Sequence, residues 1–279
     1  MIKTILIPTD GSEYARTAIE YGIYIAERLN AQLIGLHVID ASLMQMPVLS
    51  DISCSIGLPP YQEFLPAIKT ELDKRANAIL EAYCERCKAA GLHPEARKST
   101  GIIDEMIIEA GKTTDWILLA QRGEHFHPAI ESILGSTAEL VVRNSGKPVF
   151  VTPARYQDIE SMALAYDGSL PAHNALKLAV NLSEKASWPL TIICITEHEV
   201  VADALHKKIE NYLDSFQIDC ETITIRGKEN REIIKFIQEG SVELMVMGAY
   251  GHNRLRELLV GSTTSDVIRK SSIPVLLTR

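Results

Sequence analysis

The chain has 279 residues, 46% of them hydrophobic and 23% charged, a mixture that excludes wholesale disorder and a coiled coil and gives length enough for two compact units. A formal charge of -8 leaves no basic footprint for tracking a phosphate backbone, so nucleic acid is excluded as a main partner, and no apolar run is long enough for a membrane span. Cysteines 54, 84, 87, 194 and 220 are too sparse for a disulfide framework and fit a reducing compartment, so a cytoplasmic protein is expected.

The apolar run at the start, broken by Pro8 and Asp10, is too short for a signal peptide and reads as a strand, Thr4 to Pro8. Ser12 is a predicted N-cap for a helix from Glu13 to about Leu29. Further strands are expected at Gln32 to Ile39, Pro94 to Lys98, Trp116 to Ala120 and Pro148 to Thr152, with a helix from Thr70 to Ala90 that Gly91 stops. The second half follows suit, with strands at Ser161 to Ala165, Leu190 to Ile195, Glu221 to Arg226, Leu244 to Met247 and Pro274 to Thr278. Such alternation of short β-rich runs and longer amphipathic stretches is the mark of βαβ units feeding a parallel sheet. The expected fold is α/β: two tandem Rossmann-like domains, each a five-stranded parallel sheet flanked by helices.

The halves are copies. Asp10-Gly11-Ser12 recurs as Asp167-Gly168-Ser169, Gly135-Ser136-Thr137 as Gly261-Ser262-Thr263, and Lys147 to Thr152 matches Ile273 to Thr278 at the same distance beyond the second repeat. Domains are expected at 1–153 and 161–279, joined by a linker at 154–160 where Pro153-Ala154-Arg155-Tyr156 interrupts the apolar pattern. The first copy carries an extra stretch, Ala41 to about Phe64, that reads as a long loop and fits either a lid or a passively packed excursion.

In an open parallel sheet ligands bind beyond the C-terminal strand ends, where strand order reverses, and the motifs fall there. The strand Leu244 to Met247 runs into Gly248-Ala249-Tyr250-Gly251, then nine residues, then Gly261-Ser262-Thr263-Thr264. Gly248 and Gly251 allow a sharp turn and close approach to a ligand, while Gly261-Ser262-Thr263 opens a helix whose N–H groups and dipole face an anion. The same glycines also fit a tight turn that binds nothing. In the first half the matching stretch is Ala120-Gln121-Arg122-Gly123, and eleven residues separate Gly123 from Gly135, so an empty or weak site is expected.

This pattern resembles the nucleotide motif of the universal stress protein family, and the resemblance extends over both copies and nearly the whole chain. It implies an adenine-nucleotide-hydrolase-like fold and an ATP site, with or without Mg²⁺, in the second half. There Asp167 would contact the ribose side, with Ala165 and Tyr166 beside it, and Ile195 would offer backbone groups to the adenine edge. Met247 would pack nearby, Gly248, Gly251 and Gly261 would admit the phosphates, Ser262, Thr263 and Thr264 would hold them, and His252 lies in the intervening segment. Tyr166 departs from the small residue or threonine expected there; its ring would stack on the base or partly block it. The resemblance also implies that the halves pair through their last strands, and that the tandem chain forms a homodimer.

Other signals carry less. Cys84 and Cys87 have redox or zinc spacing but fall inside a predicted helix without further ligands, and His125 and His127 read as surface histidines. Without a Walker A run, a carboxylate near the phosphate loop or a nucleophile elbow, no catalytic residue is assigned and at most slow ATP hydrolysis is expected. The leading reading is a nucleotide-dependent stress-response regulator that passes its state to a protein partner. The alternatives are a nucleotide-free interaction scaffold and an adenylating or ATP-pyrophosphatase-type enzyme, the last lacking the serine- and glycine-rich loop it needs after the first strand.

Overall fold

The apolar runs at the centre of each half become strands, because their branched and aliphatic residues are covered on both faces by helices. The computed structural model describes residues 2–44, 61–123, 136–240, 242–249 and 262–279. Its strands are β1 (Thr4–Pro8), β2 (Gln32–Asp40), β3 (Glu95–Gly101), β4 (Trp116–Ala120), β5 (Val149–Thr152), β6 (Met162–Ala165), β7 (Leu190–Ile195), β8 (Cys220–Ile225), β9 (Leu244–Gly248) and β10 (Val275–Thr278). The helices are α1 (Glu13–Leu29), α2 (Tyr61–Ala89), α3 (Ile103–Gly111), α4 (Ser136–Asn144), α5 (Leu170–Ala186), α6 (Glu199–Leu213), α7 (Glu229–Gln238) and α8 (Ser262–Lys270).

The strands form one sheet in the order β3-β2-β1-β4-β5-β10-β9-β6-β7-β8. Within β1–β5 and within β6–β10 all pairings are parallel; β5 and β10 alone pair antiparallel, with Phe150 opposite Leu276. Phe150 and Leu276 are equivalent positions of the repeat, so a local two-fold axis passes between them and the expected pairing of the last strands is present. Both side chains are fully buried, each contributing about 1.5–3 kcal/mol by removal from water.

Alternation along the strands gives the sheet two apolar faces. One carries Ile5, Ile7, Leu164 and Val246 against α1, α2, α5 and α6; the other carries Leu6, Ala163, Met245 and Met247 against α3, α4, α7 and α8. The repeat is kept down to helix ends. α1 and α5 each have 17 residues, each begins with a serine whose hydroxyl accepts from an N–H three residues on, and each ends at a left-handed residue, Asn30 or Ser187.

Two segments depart from expectation. α2 begins at Tyr61, nine residues before the predicted Thr70, with Pro66 inside it. Ala41–Met44, the start of the expected long loop, is a 3₁₀ turn, and 45–60 lie outside the described residues. The segment between β5 and β6 lacks regular structure yet is held down: Ile159 is fully buried, and the Tyr24 hydroxyl accepts from Ile159 N at 3.0 Å and donates to Ile159 O. Tyr21 accepts from Gln157 N at 3.2 Å, and Thr17 donates to Ala154 O at 3.2 Å. Burial pushes the Tyr21 phenol up to about 12, so it stays a neutral donor and acceptor.

Candidate functional site

Strand order reverses between β1 and β4 in the first half and between β6 and β9 in the second, and in open parallel sheets the ligand crevice lies beyond the C-terminal strand ends at such a reversal. At the second, Ala165 lies in register with Met247 on β9 and with Ile193 on β7, and Ile195 stands two residues farther along β7. Ala165, Ile195 and Met247 all point to the face covered by α7 and α8. They form an apolar wall on the side where α8 begins at Ser262, and the first turn of any such helix has N–H groups without an intrahelical partner and carries the positive end of the dipole.

Beyond β6 the chain turns at Gly168, whose φ of +76° lies in the left-handed region that favours glycine. Asp167 Oδ1 accepts from Ser169 N at 2.9 Å and fixes that turn, and Ser169 caps α5 by accepting from Ala172 N at 3.3 Å. The end of β9 crosses the start of α5 so closely that a Cβ on Gly248 would lie 2.7 Å from Ala172 N and from the carbonyl carbon of Pro171. Gly248 therefore has a packing reason to be glycine, independent of any ligand.

Tyr166 differs from its expected role. Its ring is buried on the opposite face, among the side chains beneath α5 and α6, and burial, with Cys194 and Asp167 nearby, raises its phenol above the usual range. The ring therefore neither stacks in the crevice nor obstructs it; only the backbone of Tyr166 reaches the strand end, where its N–H is already bonded to Ile193 O at 3.0 Å. Alternation along β6, which sends Ala165 one way and Tyr166 the other, was the signal in the sequence that could have shown this. Thr264 is buried and Thr263 half-buried in the first turn of α8. Gly251, His252 and Gly261 lie outside the described residues, as do the histidines 125 and 127.

The first crevice begins alike. Gly11 has φ +81°, Asp10 Oδ1 accepts from Ser12 N at 2.9 Å, and Ser12 caps α1. After β4 the likeness ends. Gln121 is buried, and its side-chain amide donates to Ile268 O at 2.5 Å and Ser271 O at 3.2 Å, the C-terminal carbonyls of α8 in the other half. A Cβ on Gly123 would lie 2.9 Å from Asp10 Oδ2, so the loop that follows β4 runs onto the carboxylate of its own Asp-Gly-Ser turn. Sequence reasoning missed Gln121 as an inter-half clamp, because its partners are 147 and 150 residues away.

Cys84 and Cys87 both lie on α2, and burial pushes the Cys87 thiol up to about 11, away from nucleophilic thiolate. Among the described residues no three His, Cys, Asp or Glu side chains converge as a metal site, and no helix is long and apolar enough to cross a membrane.

The family model described as the universal stress protein family matches residues 1–153 and 201–279. "Universal stress protein Slr1230" from Synechocystis sp. is 31% identical over 288 aligned positions that span all of both chains. Among solved structures, a universal stress protein from Archaeoglobus fulgidus superposes with a TM-score of 0.77 at 24% identity, covering 99% of this chain and 98% of that one. A putative universal stress protein from Pseudomonas aeruginosa gives 0.64 at 16%, covering 99% and 93%. These two establish the same two-half fold, and the sequence matches go further: the chain belongs to the universal stress protein family.

Proposed function

We propose that this chain is a cytoplasmic, nucleotide-dependent regulator that binds one adenine nucleotide, ATP with or without Mg²⁺, in the crevice between β6 and β9. The observation that carries the reading is the junction of two features at one strand-order reversal. A glycine-ended strand with the full Gly248-x2-Gly251-x9-Gly261-Ser262-Thr263 spacing adjoins a helix that starts at Ser262 behind an apolar wall of Ala165, Ile195 and Met247. In this reading the wall takes the base, Asp167 the ribose, and the first turn of α8 with Ser262, Thr263 and Thr264 the phosphates. The Tyr166 backbone, Gly248, Gly251, His252 and Gly261 complete the set.

The first half, residues 1–153, is in this proposal a domain without a working site. Residues 154–160 join it to the nucleotide-binding domain, 161–279. Nucleotide occupancy changes the conformation or partner surface of the tandem unit, and an unidentified protein partner reads it out from a homodimer of tandem chains. No base or nucleophile is assigned, so hydrolysis is slow or nil.

The test is to denature freshly purified protein and quantify the released adenine nucleotide, with an ATP, ADP and AMP titration of the stripped protein. About one nucleotide per chain, abolished by Gly261→Glu, supports the reading. If the stripped protein takes up none of the three, the nucleotide-free scaffold replaces it.

A further inference from the structure

The two halves carry oppositely charged surfaces at equivalent places, and we infer that these surfaces pair between two copies of the chain. Between α7 and α8 lies a groove lined by Lys228, Arg231, Lys235 and Lys270, with Ile234 on its wall and Glu232 as the acidic residue among its lining. Lys228, Arg231, Lys235 and Lys270 are all exposed on a chain whose formal charge is -8. The other acids close by are Asp266, which accepts from Asn230 at 3.0 Å and pairs with Arg269, Glu239, which lies 3.8 Å from Lys235, and the exposed Glu229 beside Lys228. Glu232 folds back over Gly227, where a Cβ would meet its side chain at 2.7 Å.

Aligned on Gly101 and Gly227, and on Ser136 and Ser262, the first half inverts this pattern. Glu105 stands where the second half has Arg231, Glu109 where it has Lys235, Asp104 where it has Asn230, and Asn144 where it has Lys270. Lys228 is replaced by Ile102, an apolar side chain that is 55% exposed. The acidic face thus offers an isoleucine knob flanked by carboxylates, and the basic groove offers an apolar wall flanked by cations. The acidic face also carries Lys112, paired with Glu109, and the half-buried Arg143 beside Asn144.

Both surfaces lie on the same side of the sheet, since α3, α4, α7 and α8 pack on one apolar face. They cannot meet within one chain, because β5 and β10 separate them in a single continuous sheet. Two copies stacked on this side about a two-fold axis bring α3 of each against the α7–α8 groove of the other. The arrangement satisfies both charged faces at once and closes, rather than growing into a filament. Charge complementarity of this kind fixes partner and orientation and makes association strongly salt-dependent. The inference gives the proposed homodimer its surface, and nucleotide binding does not enter it.

The experiment is sedimentation of the full chain at about 0.02 M and about 0.5 M salt, where charge interactions are respectively open and screened. A dimer at low salt that weakens tenfold or more at high salt is expected. The double variant Arg231→Glu with Lys235→Glu sediments as a monomer at both salts. Adding Glu105→Arg and Glu109→Lys to that same chain restores the dimer. All these side chains are exposed, so circular dichroism and melting temperature stay close to those of the parent. A dimer indifferent to the first pair of changes overturns this surface while leaving dimerisation standing. A monomer at every salt overturns both.

Discussion

The crevices at β1/β4 and β6/β9 start from the same turn, with an aspartate bracing its serine neighbour, a glycine at positive φ and a serine-capped helix, and they diverge only after the fourth strand of each half. In the second half that strand ends on Gly248 and is followed by Ala249, whose small side chain is buried. In the first half Ala120 and Gln121 stand at those places, and the glutamine reaches across the two-fold to bind the end of α8. A duplicated site has two uses for the same loop. One copy keeps the glycine pattern; the other gives the residue after its fourth strand to holding the halves together. The helix held this way, α8, is the one whose opposite end opens the proposed phosphate site.

The strongest challenge to this contrast is a paired substitution. Asp167→Ala is expected to weaken adenine-nucleotide binding by tenfold or more, because it removes both the proposed ribose contact and the brace on the Gly168 turn, while Asp10→Ala leaves binding unchanged. Titration calorimetry of the two variants decides it. Equal losses would mean that both crevices bind, and no loss in either would remove the asymmetry altogether.

Next in size is the clamp. Gln121→Ala strands two buried helix-terminal carbonyls, Ile268 O and Ser271 O, and is expected to cost about 1–3 kcal/mol in chemical denaturation. If Gln121 only stabilises the fold, nucleotide affinity corrected for the folded fraction stays constant. If it also positions α8, affinity falls as well, and Gln121→Asn, whose amide is one methylene too short, fails to restore it. A change below about 0.5 kcal/mol would show that water replaces the amide at no loss and that the clamp is incidental.

The segment between the halves gives a smaller effect. Tyr24→Phe removes a hydroxyl that both accepts from and donates to the backbone of Ile159, at a site where burial raises the phenol above its usual range. A loss of about 1 kcal/mol is expected, with the melting curve still a single transition. Two separated transitions in this variant would mean that the packed segment, not the β5–β10 seam, unites the halves.

How far the sequence carried this picture depended on the range of the interactions involved. Strands β1, β4 and β7 fall where their apolar runs ended, because burial on both faces leaves little choice of period or boundary. β3 was placed short, at Pro94 to Lys98, because Glu95–Gly101 is an edge strand of alternating polar residues whose extent is set by pairing with β2. α2 extends nine residues beyond its expected start, through Pro66, into what reads in the sequence as the end of a loop. The glycine and hydroxyl pattern of the second crevice was legible because a phosphate cradle is local in sequence. The Gln121 clamp, the buried Tyr166 ring and the packed 154–160 segment were not, since each depends on a neighbour brought up from another strand, helix or half.

The smallest effect concerns a feature that the halves share. Asp115, just before β4, accepts from Lys3 N at 2.7 Å, Thr4 N at 3.0 Å and the Thr4 hydroxyl at 3.2 Å; Glu243, just before β9, likewise accepts from Ser161 N and the Ser161 hydroxyl, both at 2.9 Å. Partial burial pushes the Asp115 carboxyl up, but the hydrogen bonds from Lys3 and Thr4, with the charge of Lys147, outweigh it and hold it below the usual carboxylate range. A carboxylate depressed in the folded state stabilises above its unfolded pKa, near 4, and that contribution disappears as pH falls through the lower folded value. Asp115→Asn is therefore expected to cost less than about 1 kcal/mol at pH 7 and progressively less below pH ~4, so that parent and variant converge in acid. Urea denaturation at a series of pH values measures this. A variant gap that stays constant into acid would assign the loss to packing and hydrogen-bond geometry and not to the charge.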